Sequence, residues 1–290
     1  MIRIALVALV FLQEDGVTLR YPSAKGPTDK IYTETKFTLK IEGSEQAVAF
    51  VRSLHPFLSI EKLQLRADGT RTSDGKKVKV DHEESRVELR YDDEDHELDY
   101  AKGQVPPAGL DKDKLKQMLW YMAAGGRNYS LTPAGEYKSD DATQDHNGEA
   151  MDLIALGLIR MPDGAVKEGD SYEKEFKGIR SEKGKQGKWD FKQKVKVEKV
   201  EEKDGKKVAT LAADLTGKVN MPPAERDANA EEQWTKCEAK MRAVIEAGTG
   251  RVISSEGQGK VVGYYRSPAE NGGKNEITMT FTVEGKTSVK

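Results

Sequence analysis

The sequence predicts an α+β protein that is mainly antiparallel β, with two similar curved, half-barrel-like sheet units and a helical segment between them. Three observations carry this. The pentapeptide Asp74-Gly75-Lys76-Lys77-Val78 recurs as Asp204-Gly205-Lys206-Lys207-Val208, and Asp-Gly between alternating runs is a strong hairpin signal because the favoured turns need φ > 0. Apolar and charged residues alternate on both sides of each copy, the period of a strand with one wet face. Charged residues make up 33% of the 290 and apolar ones only 37%, so the core is thin and much of each sheet faces water.

The first element is a terminal segment, residues 1–16. Arg3 is followed by nine apolar residues, Ile4 to Leu12. A helix needs about 20 to cross a bilayer, so the run fits the core of a secretory signal peptide. Export to the periplasm or beyond follows from that reading. Residues 17–102 form the first β unit. Ile31, Thr33, Thr35, Phe37, Leu39 and Ile41 alternate with polar neighbours, and Val78, Val80, Val87, Leu89 and Tyr91 continue the pattern. Between them, Ala47, Phe50, Val51 and Leu54 have helical spacing, so a short helix fits Ser44 to Leu54.

Residues 103–161 are the helical connection. Pro106 and Pro107 break the sheet, Asp111 offers a cap, and Leu115, Met118, Leu119 and Met122 make one apolar stripe that Gly125-Gly126 ends. A second helix spans about Asn147 to Leu158 and is apolar on most sides, so it must be largely buried. The second β unit, 162–290, repeats the alternation through Val195, Val197, Val208 and Leu211. Thr235 to Ile245 also fits a helix in part, through Trp234, Cys237 and Met241, but the longer alternation favours a strand. Ile277, Met279, Phe281 and Val283 close the chain.

Composition excludes several function classes. The net charge of −2 comes without a basic stripe, which argues against nucleic acid. Cys237 is the only cysteine, so there is no internal disulfide and no cysteine-cluster metal site. No segment is long and apolar enough for a stable membrane span. No cofactor motif occurs: Gly257-Gln258-Gly259-Lys260 lacks the spacing of a phosphate loop, and no Gly-x-Ser-x-Gly elbow is present. The chain's oligomeric state is not written in the sequence.

Four short segments resemble a known family: Val17-Thr18-Leu19-Arg20-Tyr21; Leu131 to Glu136; Met161-Pro162 with Val166 to Tyr172; and Ile245 to Val252. Their order is similar to that in uncharacterised exported bacterial proteins of the planctomycete type, the DUF6263-like domain of unknown function. The resemblance implies architecture and export, and no chemistry, since its motifs are turns and strand starts. Tyr172 stands where Trp is usual in that family, and Glu246 where Asp is usual.

Candidate chemistry is sparse, and no catalytic or metal-ligating residue is assigned. Asp92 to Glu97, with His82, Glu83 and Glu84 before it, is the densest acidic cluster. It lacks the glycine and the terminal spacing of a calcium loop, and charges at a sheet edge discourage edge-to-edge pairing. Asp140, Asp141 and Asp145 form a second polar loop, and His55 stands apart from any acid at motif spacing. The expected function is therefore a non-catalytic, exported cell-envelope binding protein with an apolar cavity for a lipid or lipoprotein-like ligand. The residues expected to line it are Leu115, Met118, Leu119, Trp120 and Met122 on the first helix of the connection, and Leu153, Ile154 and Leu156 on the second. Two other readings stand beside it: a structural module that engages another envelope protein, and a metal-dependent hydrolase needing His82 and His96 to converge.

Overall fold

A computed structural model describes residues 16–21, 25–54, 56–91, 93–125, 129–139, 146–178, 189–220, 230–268 and 273–290. The described residues form twelve strands, the long ones following the expected alternation: β1 (Lys25–Gly43), β2 (Ile60–Asp74), β3 (Val78–Tyr91), β4 (Glu94–Ala101), β5 (Tyr129–Leu131), β6 (Tyr137–Ser139), β7 (Ser171–Lys177), β8 (Asp190–Lys203), β9 (Lys206–Asn220), β10 (Glu232–Glu246), β11 (Val252–Pro268) and β12 (Lys274–Val289). Three α-helices accompany them, α1 (Glu45–Leu54), α2 (Lys114–Gly125) and α3 (His146–Ala155). The class is α+β and mainly antiparallel, as the alternation requires.

The strands form one open sheet in the order β6-β5-β3-β2-β1-β12-β11-β10-β9-β8-β7, with β4 also paired to β3. Residues 17–102 and 162–290 supply its two arms, joined in the middle where β1 pairs with β12 from Ile31↔Val289 to Gly43↔Ile277. The connecting segment adds β5 and β6 to the first arm, short strands that its helical reading does not contain.

The repeated pentapeptide makes a hairpin each time, but not the same turn. Asp204 and Gly205 both have positive φ, 54° and 74°, as a two-residue type I′ turn demands. In the first copy only Gly75 does, at 89°; the N–H of Asp74 donates to the Lys77 carbonyl, and the N–H groups of Lys76 and Lys77 both donate to the Asp74 carboxylate, so a side chain closes this turn. The turn centre thus moves by one residue. Both Val78 and Val208 still fall on the buried face.

One face of the sheet carries the core. The main cluster gathers Ile31, Val78, Val195, Leu211, Met241 and Val283 from both arms around α3. A second cluster, Ile60, Leu63, Leu65, Val87 and Leu89, packs under Leu119 of α2, and Phe37 touches both. The other face is a ladder of exposed charges paired across strands, such as Lys286–Glu34 at 2.7 Å and Arg242–Glu198 at 3.1 Å.

The helix ends have local causes. Asp113, two residues after the expected cap, accepts from the N–H of Lys116 at 3.1 Å, while Leu110–Lys112 takes a 3-10 turn. Helix α3 stops earlier than its apolar run because Gly157 adopts φ +58°. The N–H of Leu158 reaches the Leu153 carbonyl and that of Gly157 the Ile154 carbonyl, a Schellman ending. Leu156 to Met161 then continue as a non-helical strap, all but Arg160 buried.

Candidate functional site

Helix α3 is seated on the sheet by missing side chains. Gly257 and Gly285 are register partners on β11 and β12. A Cβ on Gly257 would lie 1.9 Å from the Ile154 carbonyl oxygen, and one on Gly285 2.0 Å from that of Ala155. Only glycine admits backbone this close. The strap beyond the helix is then tied down by side chains of the sheet. The Ser255 hydroxyl donates to the Leu156 carbonyl at 2.7 Å, Gln193 Nε2 to that of Leu158 at 2.8 Å, and Tyr21 to that of Ile159 at 3.0 Å. Burial pushes the Tyr21 and Tyr172 hydroxyls far above the usual phenol range. Both stay neutral donors, Tyr172 to the Arg160 carbonyl at 2.9 Å.

The four segments singled out in the sequence meet here. The N–H of Val17 donates to the Val166 carbonyl and that of Val166 to Val17. The Tyr21 N–H reaches the Pro133 carbonyl, and the Met161 N–H that of Ala134. Gly250 lies against the Arg20 carbonyl, where a Cβ would come within 1.7 Å. Glu246 holds the β10–β11 turn: it accepts from Thr249 Oγ1 at 2.9 Å and pairs with Lys206 at 2.9 Å. Burial pushes its carboxyl up, and those two hydrogen bonds more than offset it, so the group sits below the usual range. Asp29 is similar. Burial raises it, yet Arg71 at 2.7 Å and Arg251 at 2.8 Å hold it low. Every one of these groups is spent on architecture.

The residues expected to line an apolar cavity divide between the two clusters. Leu153, Ile154 and Leu156 are at most 3% exposed in the main core. Leu119, 3% exposed, and the half-buried Leu115 belong to the second, and Trp120 packs edge-on against Tyr100. The side chains of Met118 and Met122 lie outside the described residues, as do Asp92, His55, Asp140, Asp141, Asp145 and all of the 1–16 segment except Gly16. The two helices therefore do not face one shared space among the described side chains.

The metal-centre arrangement does not form. His82 pairs with Gly69 on β2, and His96 of β4 lies opposite Leu89. Seven residues of β3 separate the two levels, about 23 Å at strand rise. Among the described residues no group of three His, Cys, Asp or Glu side chains is placed to hold a metal. Cys237 is buried beside Gly217 and Phe191, and burial pushes its thiol up to about 12, so it is an inert core group.

Open space lies on the surface. A groove of about 860 Å³ crosses β7 to β11, and Phe176, Phe191, Trp234, Val262, Lys218 and Lys236 are among its lining. Trp234 stacks with Tyr264 at 5.2 Å on the groove side, whereas the Phe176 and Phe191 rings, stacked at 5.1 Å, pack into the core on the opposite face. Lys218 and Lys236 are direct cross-strand partners, a like-charge pairing that costs stability; Lys236 Nζ rests 4.4 Å from the Trp234 ring. A second groove, about 550 Å³, lies among the charge ladder at Glu34, Arg242, Glu256 and Lys286. Neither lining was legible as a motif, because register alone brings its members together. Among the described residues no helix is long and apolar enough to cross a membrane.

No family model matches the chain, and no curated protein matches it. Among solved structures, a mutant of the vaccine antigen transferrin binding protein B from Haemophilus parasuis Hp5 aligns with 93% of this chain and 78% of its own at 9% identity. The TM-score is 0.10, too low to carry an argument.

Proposed function

We propose that the protein is an exported, non-catalytic cell-envelope protein that works by binding, with its ligand in the β7–β11 groove. The observation that carries this is the contrast between a packed core face and an open surface groove of about 860 Å³. Leu153, Ile154 and Leu156 occupy the space a carried ligand would need. The groove offers carbon surface from Trp234 and Val262 beside the paired lysines 218 and 236. That combination suits a ligand with an apolar body and an anionic end, as a lipid or an acylated envelope protein would present. The resemblance of Val17–Tyr21 and its companion segments to a DUF6263-like exported family supports the export part, as does the apolar run at Ile4 to Leu12.

The test is native mass spectrometry of the protein purified after export, followed by organic extraction. A reproducible amphiphile should travel with it, and Trp234→Ala combined with Lys236→Glu should weaken its binding about tenfold, or ~1.4 kcal/mol. A clean apo mass and no affinity for an anionic amphiphile would sink this reading. The packed interior would then favour the second one, a module that engages another envelope protein through its surface.

A further inference from the structure

We infer that one water molecule is built into the core, held by Thr287, Ser255 and Arg71 where the strap crosses the sheet. Tyr21, Leu131 and Val252 from three of the four converging segments, with Leu158 of the strap, surround a largely enclosed cavity of about 20 Å³. A water needs roughly 10–15 Å³ of such space and two to four polar partners, so the cavity has room for a single molecule. Thr287, Ser255 and Arg71 also line it.

The donors and acceptors there are incomplete without it. Thr287 is 7% exposed, and its Oγ1 has no hydrogen-bond partner in the protein. It pairs across the ladder with Ser255 on β11, whose hydroxyl has already given its proton to the Leu156 carbonyl. A serine oxygen still has lone pairs to accept with. Arg71, 8% exposed, commits one N–H to Asp29, and a guanidinium has five. A water in the cavity donates to the two hydroxyl oxygens and accepts from the guanidinium, which gives Thr287 Oγ1 the partner it lacks. A buried hydroxyl left unbonded would instead cost about 1–3 kcal/mol.

Thr33 provides the control. It is the other register partner of Thr287, is 4% exposed, and its Oγ1 also has no partner in the protein, yet it does not line the cavity. The isosteric changes Thr287→Val and Thr33→Val should therefore move stability in opposite directions. Thr287→Val loses the water, lowers the thermal midpoint, and removes one long-lived water from the magnetic relaxation dispersion profile. Thr33→Val leaves the water count unchanged, and its midpoint stays or rises. A midpoint that rises in both variants overturns the inference. A high-resolution crystal structure of the unaltered protein reads the site directly: density for one water within hydrogen-bond distance of Thr287 Oγ1 supports it, and an empty cavity overturns it.

Discussion

Asp29 is the residue on which the most structure depends. Its two carboxylate oxygens are divided between Arg71 on β2 and Arg251 in the β10–β11 turn, so one side chain ties the first arm to the second. Because its folded-state pKa lies below the unfolded one, its stabilisation is complete above about pH 4 and is lost as pH falls through the folded value. Glu246 has the same sign. Asp29→Asn should cost about 3 kcal/mol at pH 7, since it leaves Arg71 buried without its counter-charge. It should also flatten the acid limb of a urea-midpoint-against-pH curve. A variant curve that falls with acid as steeply as the parent would remove Asp29 from that role. None of this was legible in the sequence. Asp29, Arg71 and Arg251 belong to three strand ends that only the register brings together, whereas Cys237 could be read as a core residue from its place in an alternating run.

At the scale of elements, the Gly257–Gly285 seat decides where α3 sits. Gly257→Ala sets a methyl 1.9 Å from a backbone carbonyl, and backbone cannot swing aside as a flexible side chain can. We expect a loss of about 3 kcal/mol, measured as a fall in the urea midpoint, while Gly205→Ala should act only through its turn. A Gly257→Ala protein as stable as the parent would mean that α3 does not rest on that strand pair. Strands were legible because a period of two is hard to mistake over 14 or 15 residues, as in β8 and β10. Helix α3 was legible as a buried helix but not in its length, since the apolar run continues past Gly157 while the backbone turns there. Its apolar side chains looked the same whether they lined a pocket or filled a core, and periodicity does not distinguish the two.

For the whole molecule, the unforeseen feature is the join. Alternation marks strands without saying which pair, and two arms that read as separate units share one ladder through β1 and β12. Two of the outer edges, β4 and β7, carry charge at most exposed positions, including Glu94, Asp95, Glu97, Glu173 and Glu175, which discourages further pairing. Removing residues 274–290 should leave β1 and β11 each with one open edge, still paired to β2 and β10, and make the first arm sensitive to protease. A truncated chain whose first arm stays resistant would show that arm to be self-sufficient.

The same join sets a clock. The centre of the sheet is assembled from the first long strand and the last, more than two hundred residues apart in the chain. Contacts that distant must wait for the largest loop closure the molecule can make. A ribosome releases β12 more than two hundred residues after β1, so through all of that interval the first arm waits for the partner that closes the ladder.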